Sequence, residues 1–141
     1  MRFLVVDINV ILSSLISQGH SFKIFELNAE KEIFRFVAPE FIIVEAGKHM
    51  AEIARRSKLP FEEILKDMEI IKKQIHFISE EYYKNKIKEA QGILKDHLKD
   101  VPYLALALSM NCNILSGDKI FKQHCPDIVK TPRDILEEFF N

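Results

Sequence analysis

Phe3-Leu4-Val5-Val6 is a continuous apolar run closed at once by Asp7, the pattern of a strand buried on both faces. Helical spacing follows from about Asn9 to Ser17 and again from about Ser21 to Glu30, and Ile33 to Val37 reads as a second strand. Pro39 is placed to open the next helix, because its missing N–H would be unpaired at a first helical position. That helix is expected to run to about Arg56, with Ile42, Ala46, Met50 and Ile53 on one face. Pro60 starts another, whose stripe is Phe61, Ile64, Leu65, Met68 and Ile71. Ile75 to Ile78 is a short third strand, and Ser79 then caps a long helix carrying Tyr83, Ile87, Ala90 and Leu94. Asp100 opens a helix that is apolar nearly all round, Tyr103 to Leu108, which is the mark of a buried helix. Asn113 to Ser116 is a fourth strand, Asp118 precedes a short helix, and Ile128-Val129 is a fifth strand. Thr131-Pro132 opens the last helix, with Asp134 at capping-box distance.

Strands separated by helices imply βαβ units, hence a parallel sheet with helices on both faces. The expectation is a three-layer α/β/α domain over residues 1–141, with about five strands in the order 3-2-1-4-5. No repeat, linker or low-complexity segment divides the chain. With strands one and four adjacent, the chain direction reverses between them, and ligands of open α/β sheets bind beyond the carboxyl ends of the strands at such a point.

Composition narrows the picture. The hydrophobic share of 48% belongs to a globular chain, and the formal net charge of −1 does not advertise a nucleic-acid binder. A site for an anionic substrate must therefore rest on local potential. Cys112 and Cys125 are too few for a disulfide framework and form no C-x-x-C pair. They read as packed, reduced thiols, which suits the cytoplasm. The apolar run at the N-terminus is too short for a signal peptide, and no run approaches membrane-spanning length.

The chemistry lies in four carboxylates. Asp7 follows strand one directly, and Asp118 lies two residues past strand four, so both project at the switch point. Asp100 stands at the start of the buried helix that leads into strand four, and Glu45 borders the apolar stripe of its helix. Taken singly, the commoner reading of Asp100 and Asp118 is an N-cap. Glu45 reads equally as a solvated residue paired with Lys48 at i,i+3. Asp7 is harder to dismiss, since a charge after a fully apolar strand needs a partner. Together, carboxylates held this close repel one another, and some must take up protons unless a cation intervenes. Oxygen ligands suit Mg²⁺ or Mn²⁺ rather than zinc. Such an ion lowers the pKa of a bound water and offsets charge on a phosphoryl oxygen.

Four segments carry a resemblance. The run Val5-Val6-Asp7-Ile8-Asn9-Val10-Ile11-Leu12-Ser13-Ser14-Leu15 resembles the opening motif of the PIN-domain nucleases (PilT N-terminus-like, VapC-like). Ala38 to Glu45 resembles their second motif, which supplies a helical glutamate. Lys99 to Leu108 resembles the third, and Leu115-Ser116-Gly117-Asp118-Lys119 the fourth. The resemblance spans nearly the whole chain, in order. It implies that Asp7, Glu45, Asp100 and Asp118 are the catalytic and metal-holding acids, with Asn9 and Ser116 as polar helpers. Ile8 departs from the threonine often found after the first aspartate; this removes a hydroxyl and no metal ligand.

The resemblance further implies a Mg²⁺- or Mn²⁺-dependent endoribonuclease that hydrolyses RNA phosphodiester bonds and leaves 5′-phosphate and 3′-hydroxyl ends. Compact members of such families are often toxins of toxin–antitoxin pairs, held inactive by a small partner, and members of the fold commonly form two-fold dimers. Phe139 and Phe140 read as cover for the core or, if exposed, as part of a partner or homodimer interface. Lys119, beside Asp118, is the expected substrate contact. Two alternatives remain. One is a non-catalytic RNA-binding or scaffold domain on the same fold. The other is a haloacid-dehalogenase-type phosphatase, which normally has a second acid where this chain has Asn9 and has no counterpart of Glu45.

Other clusters carry less. Cys112, His124 and Cys125 lack the count and spacing of a zinc site, and no partner is apparent for any histidine. Asp96 reads as solvated. Arg55-Arg56-Ser57-Lys58 and the Lys84, Lys86, Lys88 group read as solvated faces. No Walker lysine motif, G-x-G-x-x-G or G-x-S-x-G is present.

Overall fold

Strand β1 (Arg2–Val6) lies at the middle of a five-stranded, all-parallel sheet, and the computed structural model describes every residue from Met1 to Asn141. The other strands are β2 (Phe34–Pro39), β3 (Ile75–Ile78), β4 (Asn113–Leu115) and β5 (Val129–Lys130), in the order β3-β2-β1-β4-β5. This is the predicted order. The chain first builds outward from β1 through β2 to β3, then crosses back to lay β4 on the other side of β1. Register is set by Val5 opposite Val37 on one flank and Val6 opposite Leu115 on the other.

Helices cover the sheet. They are α1 (Ile8–Ser17), α2 (His20–Lys31), α3 (Phe41–Lys48), α4 (Met50–Arg56) and α5 (Phe61–Lys72), then α6 (Glu80–Tyr83), α7 (Ile87–Leu94), α8 (Val101–Met110), α9 (Lys119–His124) and α10 (Pro132–Phe139). The apolar helix α8 is buried as its pattern demands, with Leu104, Ala105 and Leu106 at 0% exposure. Asn28 of α2 pins the entry to β2: its side-chain amide donates to the Phe34 carbonyl at 2.9 Å and accepts from the Phe34 N–H at 2.8 Å. A side chain thus does the work of a neighbouring strand for both polar groups of the Phe34 backbone. Thr131 and Asp134 form the predicted capping box of α10, and Ser79 caps α6 by accepting from the Glu81 N–H. No helix is long and apolar enough to cross a membrane.

Four local expectations need correction. Pro39 ends β2 rather than opening a helix, where it is paired with Ile78 in the edgeward β3; the helix starts two residues later. The single helix expected to reach Arg56 is broken at His49, two residues after Gly47, whose missing side chain makes it a weak helix former. The long helix after Ser79 is interrupted by a tight 3₁₀ turn, Lys84–Lys86, yet Tyr83, Ala90 and Leu94 still point inward. Phe3 is 49% exposed, because only the inner three residues of β1 are covered on both sides. The C-terminal pair is packed rather than presented: Phe139 meets Phe34 edge-on at 4.8 Å, and Phe140 lies at 6.2 Å from the same ring.

Truncating a fully buried side chain of α8 removes transfer energy and leaves a cavity, so Leu104→Ala is expected to cost about 2–5 kcal/mol in urea unfolding. Tyr82→Ala, at a side chain 55% exposed, should stay within about 0.5 kcal/mol of the parent.

Candidate metal centre

The centre grows out of the β1–β4 pairing. The ladder extends one bond past β1, where the Asp7 N–H donates to the Leu115 carbonyl at 3.1 Å. This brings Asp7 beside Ser116, whose hydroxyl donates to Asp7 Oδ2 at 2.8 Å. Asp7 Oδ1 accepts from the Asn9 N–H at 3.0 Å and so caps α1. Ser116 Oγ in turn accepts the Asp118 N–H at 3.1 Å. One fully buried serine therefore ties the acids at the ends of the two central strands.

Asp118 divides its oxygens. Oδ1 caps α9 by accepting from Ile120 N–H at 2.9 Å and Phe121 N–H at 3.2 Å. Oδ2 faces the centre, with Lys99 Nζ at 3.3 Å and His97 Nε2 at 3.4 Å. The capping and site readings of Asp118 thus hold together. Asp100 behaves differently. It ends a 3₁₀ turn, Leu98–Asp100, and its side chain accepts no hydrogen bond from the first turn of α8, so it is not a cap. Its Oδ2 lies 2.7 Å from His97 Nε2. That approach lacks hydrogen-bond geometry, and Oδ2 remains a buried oxygen with no hydrogen-bond partner.

His97 was not foreseen. It follows a tight turn in which its N–H donates to the Leu94 carbonyl at 3.0 Å, and Lys95 takes φ 54°, ψ −111°, a conformation that strains a residue with a side chain. Nε2 of His97 and one oxygen each of Asp100 and Asp118 all lie within 4.8 Å of one another. No periodic pattern marks a histidine on an irregular turn, and only its spacing of three before Asp100 hints at the meeting.

The electrostatics follow from burial. Asp100 is pushed up to about 6, first by loss of water and then by the charges of Asp7 and Asp118. Burial also raises Asp7, against the hydrogen bonds from Asn9 and Ser116. Burial pushes Asp118 up as well, but the donors at Phe121, His97, Lys99 and Ile120 outweigh it and hold the carboxyl low. Burial, with the charge of Asp7 and then those of Asp100 and Glu45, keeps the Tyr103 hydroxyl protonated; that oxygen accepts the Ile8 N–H at 3.3 Å.

The remaining predicted residues sit farther out. Glu45 is half-exposed, pairs with Lys48 at 3.3 Å and stands outside the cluster of His97, Asp100 and Asp118, though its charge is felt at Tyr103. The Asn9 side chain lines a separate polar cavity with Ser13, His49 and Arg56. Lys119 is exposed, and the lysine that meets the acids is Lys99. Asp96 is exposed. Cys112 and Cys125 are unpaired thiols raised by burial, Cys112 to about 11, and take no part in the His97 cluster. Lys84 and Lys86 pair with Glu81 and Glu89 on the surface.

The model of the PIN domain matches residues 5–135, so the match takes in every acid named above. The chain belongs to the PIN-domain family. No curated protein matches it. Among solved structures, a VapBC2 complex from Rickettsia felis, bound to a DNA fragment from its promoter, contains a chain with the same fold. The TM-score is 0.61 at 14% identity, covering 92% of this chain and 98% of that one. PIN domains are generally nucleases that use divalent metals.

The residues of this PIN domain fit such an ion. Three carboxylates from three distant segments repel one another across a buried space, and one of their oxygens lacks any donor. A divalent cation answers both conditions. Without one, the folded protein holds a proton on Asp100 that the unfolded chain has already released. This contribution to stability is present below the ordinary carboxylate range and is lost as the pH rises through about 6. In metal-free protein, urea unfolding across that range should therefore show the parent losing stability relative to Asp100→Asn as pH increases, by on the order of 1–3 kcal/mol.

Proposed function

We propose that this PIN domain is a divalent-metal-dependent endoribonuclease in which Asp7, Asp100 and Asp118 hold the ion. The observation that carries the reading is the convergence of those three acids at the carboxyl ends of β1 and β4, with a buried Asp100 oxygen left without a donor. A bound Mg²⁺ or Mn²⁺ would activate water and offset charge on the scissile phosphate. The chain's own groups prepare the place. Ser116 and the Asn9 N–H fix the orientation of Asp7, and the first turn of α9 fixes Asp118. Glu45 stands at the rim on α3, where it would act on substrate or a second water rather than in the innermost set. Asn9 and Lys119 serve as outer contacts in this reading, and Lys99 supplies the nearest positive charge.

Carboxylates alone repel an RNA backbone, so metal and lysines must together reverse the local potential. Membership of the PIN family leaves the phosphatase alternative without support. Both Asp7 oxygens are moreover engaged as hydrogen-bond acceptors, which ill suits a nucleophile.

The toxin role of a toxin–antitoxin pair, in the cytoplasm, completes the proposal. The neighbour of like fold was captured as a VapBC complex. This chain offers an apolar cavity of about 330 Å³ lined by Ile11, Leu15, Ile42, Ile43, Met50 and Met68, where an apolar segment of a small partner would seat. With the C-terminal aromatics spent on Phe34, a homodimer would use the exposed Phe41, Ile43 and Val44 of α3 instead.

Asp7→Asn is expected to abolish Mn²⁺-supported cleavage of RNA, read on a denaturing gel, while the protein stays folded by circular dichroism. Undiminished cleavage by the folded variant would remove the site assignment. Cleavage by the parent should weaken steeply between low and moderate salt, as phosphate contacts that release counterions demand; a flat profile would count against the lysine contacts alone.

A further inference from the structure

The acids of the centre are oxygen donors, a set that serves Mg²⁺ and Mn²⁺ alike. His97 changes that set. We propose that His97 Nε2 is a direct ligand of the bound ion and turns the site's preference toward Mn²⁺, or a similar transition ion, over Mg²⁺. The inference rests on the metal-dependent reading above and extends it to which class of ion the chain selects.

Geometry comes first. Nε2 of His97 is 2.7 Å from Asp100 Oδ2 and 3.4 Å from Asp118 Oδ2. Neighbouring ligand atoms of an octahedron with bonds near 2.1 Å stand about 3 Å apart. The nitrogen therefore already occupies a ligand's place beside both oxygens, and an ion seated among the three requires only small side-chain shifts. The second observation is independent of the cluster's charge. Asp100 is 2% exposed, and its Oδ2, the atom that faces the ring, has no hydrogen-bond partner. A buried oxygen with no donor is costly, and an ion shared with His97 satisfies it.

A second ring lies against the imidazole. His97 stacks on His124 with centroids 6.0 Å apart and planes within 5°. His124 is itself anchored, with Nδ1 at 2.9 Å from the Ile120 carbonyl. The backbone contributes through the Leu94–His97 turn, which brings the imidazole up to Asp100 three residues before that acid is reached.

Chemistry supplies the selectivity. Mg²⁺ is hard, prefers oxygen and keeps its waters, whereas imidazole nitrogen suits first-row transition ions. Exchanging one oxygen position for nitrogen should raise affinity for Mn²⁺ and do little for Mg²⁺.

The test is titration calorimetry of MnCl₂ and MgCl₂ into the metal-stripped full chain, as parent, His97→Gln and Asp100→Asn. It is paired with pulsed electron paramagnetic resonance of the Mn²⁺-loaded parent. The expected result is a ¹⁴N coupling from a directly bound imidazole. His97→Gln should lose that coupling and weaken Mn²⁺ binding about tenfold or more, while Mg²⁺ affinity changes less than about threefold. Asp100→Asn should weaken both ions. Bound Mn²⁺ without a ¹⁴N coupling, or an equal loss for both ions in His97→Gln, would overturn the His97 assignment and leave the carboxylate site standing. Failure of the parent to bind either ion would overturn this inference together with the metal-dependent reading.

Discussion

The parallel pairing of β1 with β4 is the constraint on which the molecule turns. It sets Val6 opposite Leu115 and continues into the bond from the Asp7 N–H to the Leu115 carbonyl. That single register decides whether Ser116 meets Asp7. A slip of one residue would turn the strand's side chains to the opposite faces, placing the serine in the core and removing the donor that steadies a buried carboxylate. The same pairing sits where the strand order reverses, so the centre of the sheet and its buried acids share a boundary.

The site is paid for by the core around it. Burial raises Asp7 and Asp100, and the charges of Lys99 and His97 offset it only in part, whereas the donors around Asp118 outweigh its burial. The apolar surroundings that α8 and the inner strands provide make the electrostatics strong, because charges interact more where water is excluded. Asp118 shows how one residue reconciles the two demands. One of its oxygens closes a helix end and the other faces the cluster, so its position is held by backbone geometry even when the opposing charges push it away.

Much of this was legible in the chain. The alternation of short apolar runs with helical stripes gives the layers, and Asp7, Ser116 and Asp118 lie at or just past strand ends that the topology sets side by side. What escaped was whatever depends on irregular backbone. His97 arrives on a strained turn at Lys95, and no spacing rule reports such a turn. Pro39 was ambiguous because an edgeward position in a sheet and a helix start both tolerate a missing N–H. Glu45 was placed correctly beside the apolar stripe of its helix, but the distance across to the acids is set by the packing of α3 on Tyr103, which sequence periodicity does not encode. Lys119 was expected at the site because it adjoins Asp118 in sequence, but the 3₁₀ turn before α8 brings Lys99 to that acid instead.

The acids lie at residues 7, 100 and 118, and this spacing has a consequence for how the protein comes into being. A ribosome delivers Asp7 more than a hundred residues before Asp118, and β1 lacks one of its two neighbours until β4 has emerged. Until then the chain can pair β1 with β2 and β2 with β3 but cannot assemble the cluster. Long-range pairing of this kind forms late because the intervening loop must first be closed. Whatever chemistry the centre performs therefore waits until β4 and Asp118 have emerged, and the order of the letters acts as a delay.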